Sequence, residues 1–285
     1  MHTRRIGDTE VRAIGLGAMP MSIEGRPDEA RSLATLHAAL DAGVNLVDTA
    51  DAYHRDAGEV GHNETLIAKA LAAHDRGGDV LVATKGGHLR PGDGSWTVDG
   101  SPSHLRAACE ASLRRLGVEA IGLYQFHRPD PDVPYAESVG ALRDLLDEGK
   151  IRMAGISNAD PARIREAYDI LGGRLVSVQN QFSPAFRSSE PELRLCDELG
   201  IAFLPWSPLG GIVRAGELGS RFAPFARIAE RHGVSSQRVC LAWMLAKSPV
   251  VVPIPGASRP ETIRDSVRAT ELALTAQEIA ELDTV

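Results

Sequence analysis

DVLVAT (79–84), SPSHLRAACEASLRRLG (101–117) and IGLYQF (121–126) form the stretch that decides how this chain folds. The outer two runs are nearly continuous in hydrophobicity, as expected of strands covered on both faces. The middle run opens on Ser101-Pro102 and closes on Gly117, which follows the start and stop preferences of helices. The stretch therefore reads strand, helix, strand.

The same alternation continues in both directions. AIGLG (13–17), VNLVD (44–48), IRMAGIS (151–157), LVSVQ (175–179), IAFLPW (201–206) and VVVPI (250–254) bring the expected strands to eight. DEARSLATLHAALDAG (28–43) places Leu33, Leu36 and Leu40 on one helical face and ends on Gly43, a good C-cap residue. NETLIAKALAAH (63–74) opens on Asn63, read as an N-cap. Further helical patterns lie near 134–148, 160–171, 189–199, 235–247 and 260–269, and a last helix ends the chain. Eight βα repeats in a chain of this size predict an α/β protein, a closed (β/α)8 or TIM barrel, with residues 1–285 as a single domain. TRRIGDTEVRAIG (3–15) reads as a β-hairpin turning at Gly7 and Asp8, able to plug the barrel bottom. GLGAMP (15–20) begins like a dinucleotide-binding glycine fingerprint, but proline takes the last position and no helix follows at once.

Composition narrows the function classes. The chain has 285 residues, 43% hydrophobic and 24% charged, which excludes bulk disorder and fibrous folds. A net charge of −7 argues against a nucleic-acid partner, which would favour a basic face. Cys109, Cys196 and Cys240 are far apart and cannot all pair, so neither a disulfide framework nor a structural zinc site is expected, and a reducing compartment fits. No apolar signal region and no run of 18 apolar residues is found, so a cytoplasmic protein without membrane contact is expected, as a monomer or weak oligomer.

Barrel active sites lie at the C-terminal ends of the strands. There the chain has Asp48 in DTADAYH (48–54), Lys85 in VATKG (82–86) and His127 in FHRPD (126–130), with Tyr53 just past Asp48. Alone, an Asp–Lys pair reads as a structural salt bridge and a loop tyrosine as packing. Together at successive strand ends they suit one reaction. A tyrosine ionises near pH ~10, and a nearby ammonium favours its phenolate. Asp48 holds Lys85 charged, and His127 orients a substrate oxygen. The set suits protonation of a carbonyl oxygen as charge develops on it.

On these motifs the chain resembles the aldo-keto reductases, from GLGAM (15–19) to the final helix. The resemblance implies Tyr53 as general acid, Lys85 and Asp48 as its tuning pair, and His127 as the orienting residue. It also implies a nicotinamide dinucleotide bound without a Rossmann fold: NADPH, with NADH as a second possibility. Ser157, Asn158 and Gln179 resemble the family's carboxamide-binding set, and Trp206 the aromatic that stacks on the nicotinamide. Ser207, Leu209 and Gly211 fall in the loop near the pyrophosphate. Gly256, Ser258 and Arg259 fall where the family holds the adenosine 2′-phosphate, with Asp265 at its acidic position near the adenine. Thr262, Ser266 and Gly256 stand where many members have an arginine or histidine, an asparagine and a lysine. A modest NADP(H) preference through Arg259 is expected.

On the substrate side, residues 86–101 form a glycine-rich loop read as a mobile lid, with Trp96 facing the substrate or packing the loop down. Met19 and Met21 are candidates for the pocket's apolar wall, and His54 and His88 for its rim. The expected activity is reduction of an aldehyde or ketone to an alcohol, in principle reversible, on a small-molecule carbonyl. Two alternatives are a metal-dependent barrel hydrolase, which Lys85 beside Asp48 opposes, and a cofactor-binding regulatory subunit with slow turnover.

Overall fold

The computed structural model describes residues 2–285. A hairpin of β1 (Thr3–Ile6) and β2 (Thr9–Arg12) comes first, paired antiparallel. Strands and helices then alternate: β3 (Leu16–Gly17), α1 (Glu29–Asp41), β4 (Leu46–Asp48), α2 (His62–Ala72) and β5 (Leu81–Gly86). A short antiparallel pair, β6 (His88–Leu89) and β7 (Thr97–Val98), precedes α3 (Pro102–Leu116) and β8 (Ile121–Phe126). The series continues through α4 (Tyr135–Asp147), β9 (Ile151–Ser157), α5 (Pro161–Ile170), β10 (Leu175–Gln179), α6 (Glu190–Leu199) and β11 (Ala202–Phe203). It ends with α7 (Leu218–Arg221), α8 (Ala223–His232), α9 (Ser236–Lys247), α10 (Pro260–Val267) and α11 (Ala276–Asp283).

Seven strands form one parallel sheet in the order β11-β10-β9-β8-β5-β4-β3. The eighth expected strand, near 250–254, forms no regular ladder, yet it closes the barrel. Val252 N–H donates to Phe203 O at 2.9 Å on one side, and Gly15 N–H and Gly17 N–H donate to Pro253 O and Pro255 O at 3.0 Å on the other. The prolines explain the irregularity, because each lacks the N–H that a ladder to β3 would use. The (β/α)8 barrel is thus complete, with its last staves joined through proline carbonyls.

Ile6 and Val11 of the N-terminal hairpin are fully buried and belong to the same apolar cluster as Leu81, Leu123, Met153 and Val252 inside the barrel. The hairpin therefore plugs the barrel bottom, as its sequence suggested, and leaves the strand C-termini to form the opposite mouth. Helices cover the outside through two larger apolar clusters. The three cysteines are buried on α3, α6 and α9.

Ser101 caps α3 by accepting from His104 N–H, and Gly117 ends it at φ 68°. Asn63 is a correction. Gly61, at φ 79°, is the N-cap of α2, and Asn63 lies inside the helix, fully buried. Its amide donates to Ala18 O at 2.9 Å and Ser22 Oγ at 2.7 Å, and its Oδ1 accepts from Thr49 Oγ1 at 2.6 Å. Between strand seven and residue 235, a stretch in which no helical pattern was read, the chain forms α7 and α8; Phe225, Ile228 and Ala229 bury the inner face of α8.

Candidate active site

The parallel register brings the strand ends to one rim. Asp48 pairs with Ala83, two residues before Lys85, so the acid and the amine leave adjacent strands on the same face of the sheet. Lys85 is fully buried, and its three donors are all used. Nζ donates to Asp48 Oδ2 at 2.8 Å, to Thr49 O at 2.7 Å and to Tyr53 Oη at 3.2 Å. Gln179 Nε2 holds the other carboxylate oxygen, Oδ1, at 2.7 Å. His127 follows β8 immediately, its ring edge-on to Tyr53 with centroids 5.8 Å apart. The four residues expected from sequence are therefore assembled at one point.

The electrostatics depart from the simplest expectation in one respect. Burial raises the Tyr53 pKa by more than the Lys85 ammonium lowers it, and Asp48 adds to the rise. The phenol is thus held above its ordinary range and stays protonated at neutral pH. Lys85 loses from burial but gains more from Asp48 and Tyr53, so it stays charged. Burial, then Lys85, His88 and Arg128, push His127 well below the usual imidazole value. At neutral pH His127 is a neutral ring able to donate one N–H. His88 is lowered to about 4, chiefly by burial.

Asp48, Tyr53 and His127 face a cleft at the barrel mouth. Ser157, Asn158, Gln179 and Trp206 line its other side. Ser157 Oγ donates to Gln179 O at 2.7 Å; Asn158 Nδ2 donates to His127 O at 2.9 Å; Trp206 Nε1 donates to Asn158 Oδ1 at 3.2 Å. This mesh fixes the indole at the cleft wall. Gln179 spends its amide N–H on Asp48, which leaves its Oε1 as the acceptor it can offer. Asn158 and Ser207 are the two non-glycine residues with positive φ among the described residues, at 57° and 49°. Both border the cleft, and such backbone geometry concentrates at functional sites. These features fit a nicotinamide and its carboxamide: a fixed aromatic face, a hydroxyl, and amide groups that donate and accept.

Ser207, Leu209 and Gly211 line the cleft, as does Gly256. Ser258 and Arg259 lie outside the lining, at the N-terminus of α10, where Arg259 is the exposed N-cap residue. A helix N-terminus beside a guanidinium suits a phosphate. Asp265 lies further along α10: its carboxylate accepts from Ser235 Oγ at 2.5 Å and is ion-paired with Arg238, in a groove also lined by Glu261 and Arg264.

Met19 and Trp96 line the cleft, whereas Met21 is buried in the core beside α1, because the turn of 3-10 helix at 19–21 points the two side chains apart. His54 turns away and bonds Asp56 O at 2.7 Å. His88 does line the cleft. Segment 86–101 is not a plain loop: β6 and β7 pair across it, and Trp96 stacks on His88 at 4.7 Å while Arg90 covers the indole at 4.6 Å. Trp96 thus both packs the segment down and faces the cleft. Sequence reasoning gave no role to Arg128, Pro20 or Ile212, which also line it.

Comparison with known proteins agrees with this geometry. The model of the aldo/keto reductase family matches residues 13–285. An uncharacterized oxidoreductase of Schizosaccharomyces pombe is 34% identical over 285 residues, covering 99% of this chain and 89% of that protein. The glycerol dehydrogenase of Gluconobacter oxydans is 28% identical, with a TM-score of 0.84 over 99% of this chain and 94% of its own. An aldo/keto reductase from Klebsiella pneumoniae, solved with NADP and acetate, is 26% identical with a TM-score of 0.83 over 99% and 94%.

Proposed function

The chain belongs to the aldo/keto reductase family, and from that premise we propose that it reduces an aldehyde or ketone to an alcohol with NADPH, Tyr53 giving the proton. Membership makes it an NAD(P)H-dependent oxidoreductase of carbonyl compounds. The observation that carries the finer reading is the Tyr53 hydroxyl 3.2 Å from a Lys85 ammonium that is itself clamped by Asp48.

The carbonyl oxygen of the substrate lies against Tyr53 Oη and accepts from the neutral His127 ring. As negative charge builds on that oxygen, the Tyr53 proton moves to it. The phenolate left behind meets the fixed ammonium, so the Lys85 interaction strengthens along the reaction. That differential, stronger in the transition state than before it, is what accelerates the step. Asp48 and Gln179 hold Lys85 in place without reorganisation. The nicotinamide, when bound, supplies the hydride to the carbonyl carbon. Ser157, Asn158 and Gln179 would hold its carboxamide and Trp206 its ring; Ser207, Leu209, Gly211 and Gly256 would border the diphosphate, and Ser258 with Arg259 the 2′-phosphate. The NADP complex of the Klebsiella relative supports NADPH as the cofactor. By microscopic reversibility the same residues serve alcohol oxidation, with Tyr53 as the base.

NADPH carrying two deuterium atoms at C4, incubated with a reactive aldehyde, tests the reading. The alcohol is expected to carry one deuterium on the former carbonyl carbon; bound NADPH with no labelled alcohol would refute it. Arg259→Ala is expected to lower the NADPH-to-NADH ratio of kcat/KM by about tenfold or more, the worth of a charged hydrogen bond. An unchanged ratio would remove Arg259 from the phosphate site.

A further inference from the structure

Arg128 is exposed at the cleft and is the one lysine or arginine in its lining. It has no hydrogen-bond or ion-pair partner among the described residues. Asp130, two residues on, lies outside the cleft lining and accepts from Gly100 N–H at 2.7 Å and Asp132 N–H at 2.9 Å. The other charges of the site cancel, because Asp48 is matched by Lys85. His88 and His127 stay neutral at pH 7, and the charge of Arg128 contributes to that in both. The cleft therefore presents one uncompensated charge, and it is positive.

Its place separates it from the diphosphate loop. Arg128 follows β8, whereas the loop of Ser207 to Gly211 follows β11, three strands away in the sheet. Arg128 shares its side of the mouth with His127, His88 and Trp96, which face the substrate. We propose that Arg128 selects carbonyl substrates bearing a second, anionic oxyacid group, a carboxylate or a phosphate, close to the reacting carbonyl. The inference rests on the carbonyl-reductase reading. A guanidinium binds either oxyacid through two parallel, charge-assisted hydrogen bonds, a geometry that holds at an exposed position too.

Two matched pairs test it with NADPH: 4-carboxybenzaldehyde against methyl 4-formylbenzoate, and glyceraldehyde 3-phosphate against glyceraldehyde. The wild type is expected to favour at least one anionic member by about tenfold or more in kcat/KM, through KM, with the preference falling as salt rises. Whichever pair responds identifies the oxyacid. Arg128→Met is expected to cost that anionic substrate about ten- to hundred-fold and the neutral partner less than about twofold, with Arg128→Lys intermediate. Equal treatment of both pairs by the wild type, or equal losses on both members in Arg128→Met, would overturn the proposal while leaving carbonyl reduction intact. If the wild type turns over no member of either pair, the carbonyl-reductase reading fails and this assignment with it.

Discussion

Asp51 stands three residues beyond Asp48, buried, with Oδ1 lacking any partner among the described residues. Burial, then Glu64, pushes its carboxyl up to about 8 against the pull of Arg115 and Lys85. Unfolded, it would titrate near about 3.9. Folding therefore takes up a proton between these values. The stability it confers is full below about pH 4, declines as pH rises, and is gone past about 8. Asp51→Asn removes the titration. Relative to wild type, its melting temperature is expected to rise steadily from pH 5 to pH 8. Parallel curves for the two proteins would mean that Asp51 is ionised in the native state. At this scale, the four-residue cluster was legible because Asp48, Lys85 and His127 fall at successive strand ends and Tyr53 follows the first of them. Asp51 and Arg128 were not, since what marks them is the absence of a partner, a property of three-dimensional packing. The net rise of the Tyr53 pKa was hidden for the same reason: proximity to Lys85 could be read, but depth of burial could not.

Helix α2 shows how an element steadies the site. Asn63 ties it to the chain after β3 and, through Thr49, to the turn whose carbonyl receives Lys85. Asn63→Ala leaves buried polar groups unpaired and is expected to cost about 2 kcal/mol in urea unfolding, with a lower kcat from a less rigid Lys85. A loss below about 0.5 kcal/mol, with kcat unchanged, would show that the links bear no strain. Asn63 had been read as an N-cap because its amide favours both helix starts and buried side-chain bonds. Only the position of Gly61 decides between them. The eighth strand was legible as an apolar run, but Pro253 within it and Pro255 just past it made its pairing irregular. Helix α8 was missed, although its Ala223-Pro224 start and Gly233 stop were present in the sequence.

Across the whole molecule, the barrel divides labour between its ends. Ile6 and Val11 close the bottom, and the candidate site opens at the mouth. Ile6→Ala is expected to cost about 2–4 kcal/mol of stability while leaving kcat/KM of the folded enzyme unchanged, checked by urea unfolding alongside steady-state rates. A drop in kcat/KM with little loss of stability would mean that the plug reaches the site. The barrel itself was the most legible feature, because eight apolar runs and the helices between them repeat a pattern few folds satisfy. No helix among the described residues is long and apolar enough to cross a membrane.

The central claim is that the Tyr53 hydroxyl protonates the substrate, and single-turnover oxidation of bound NADPH by a reactive aldehyde tests it most directly. Tyr53→Phe is expected to slow that step by about 10²–10⁴-fold with NADPH affinity unchanged. A rate near that of the wild type would contradict it.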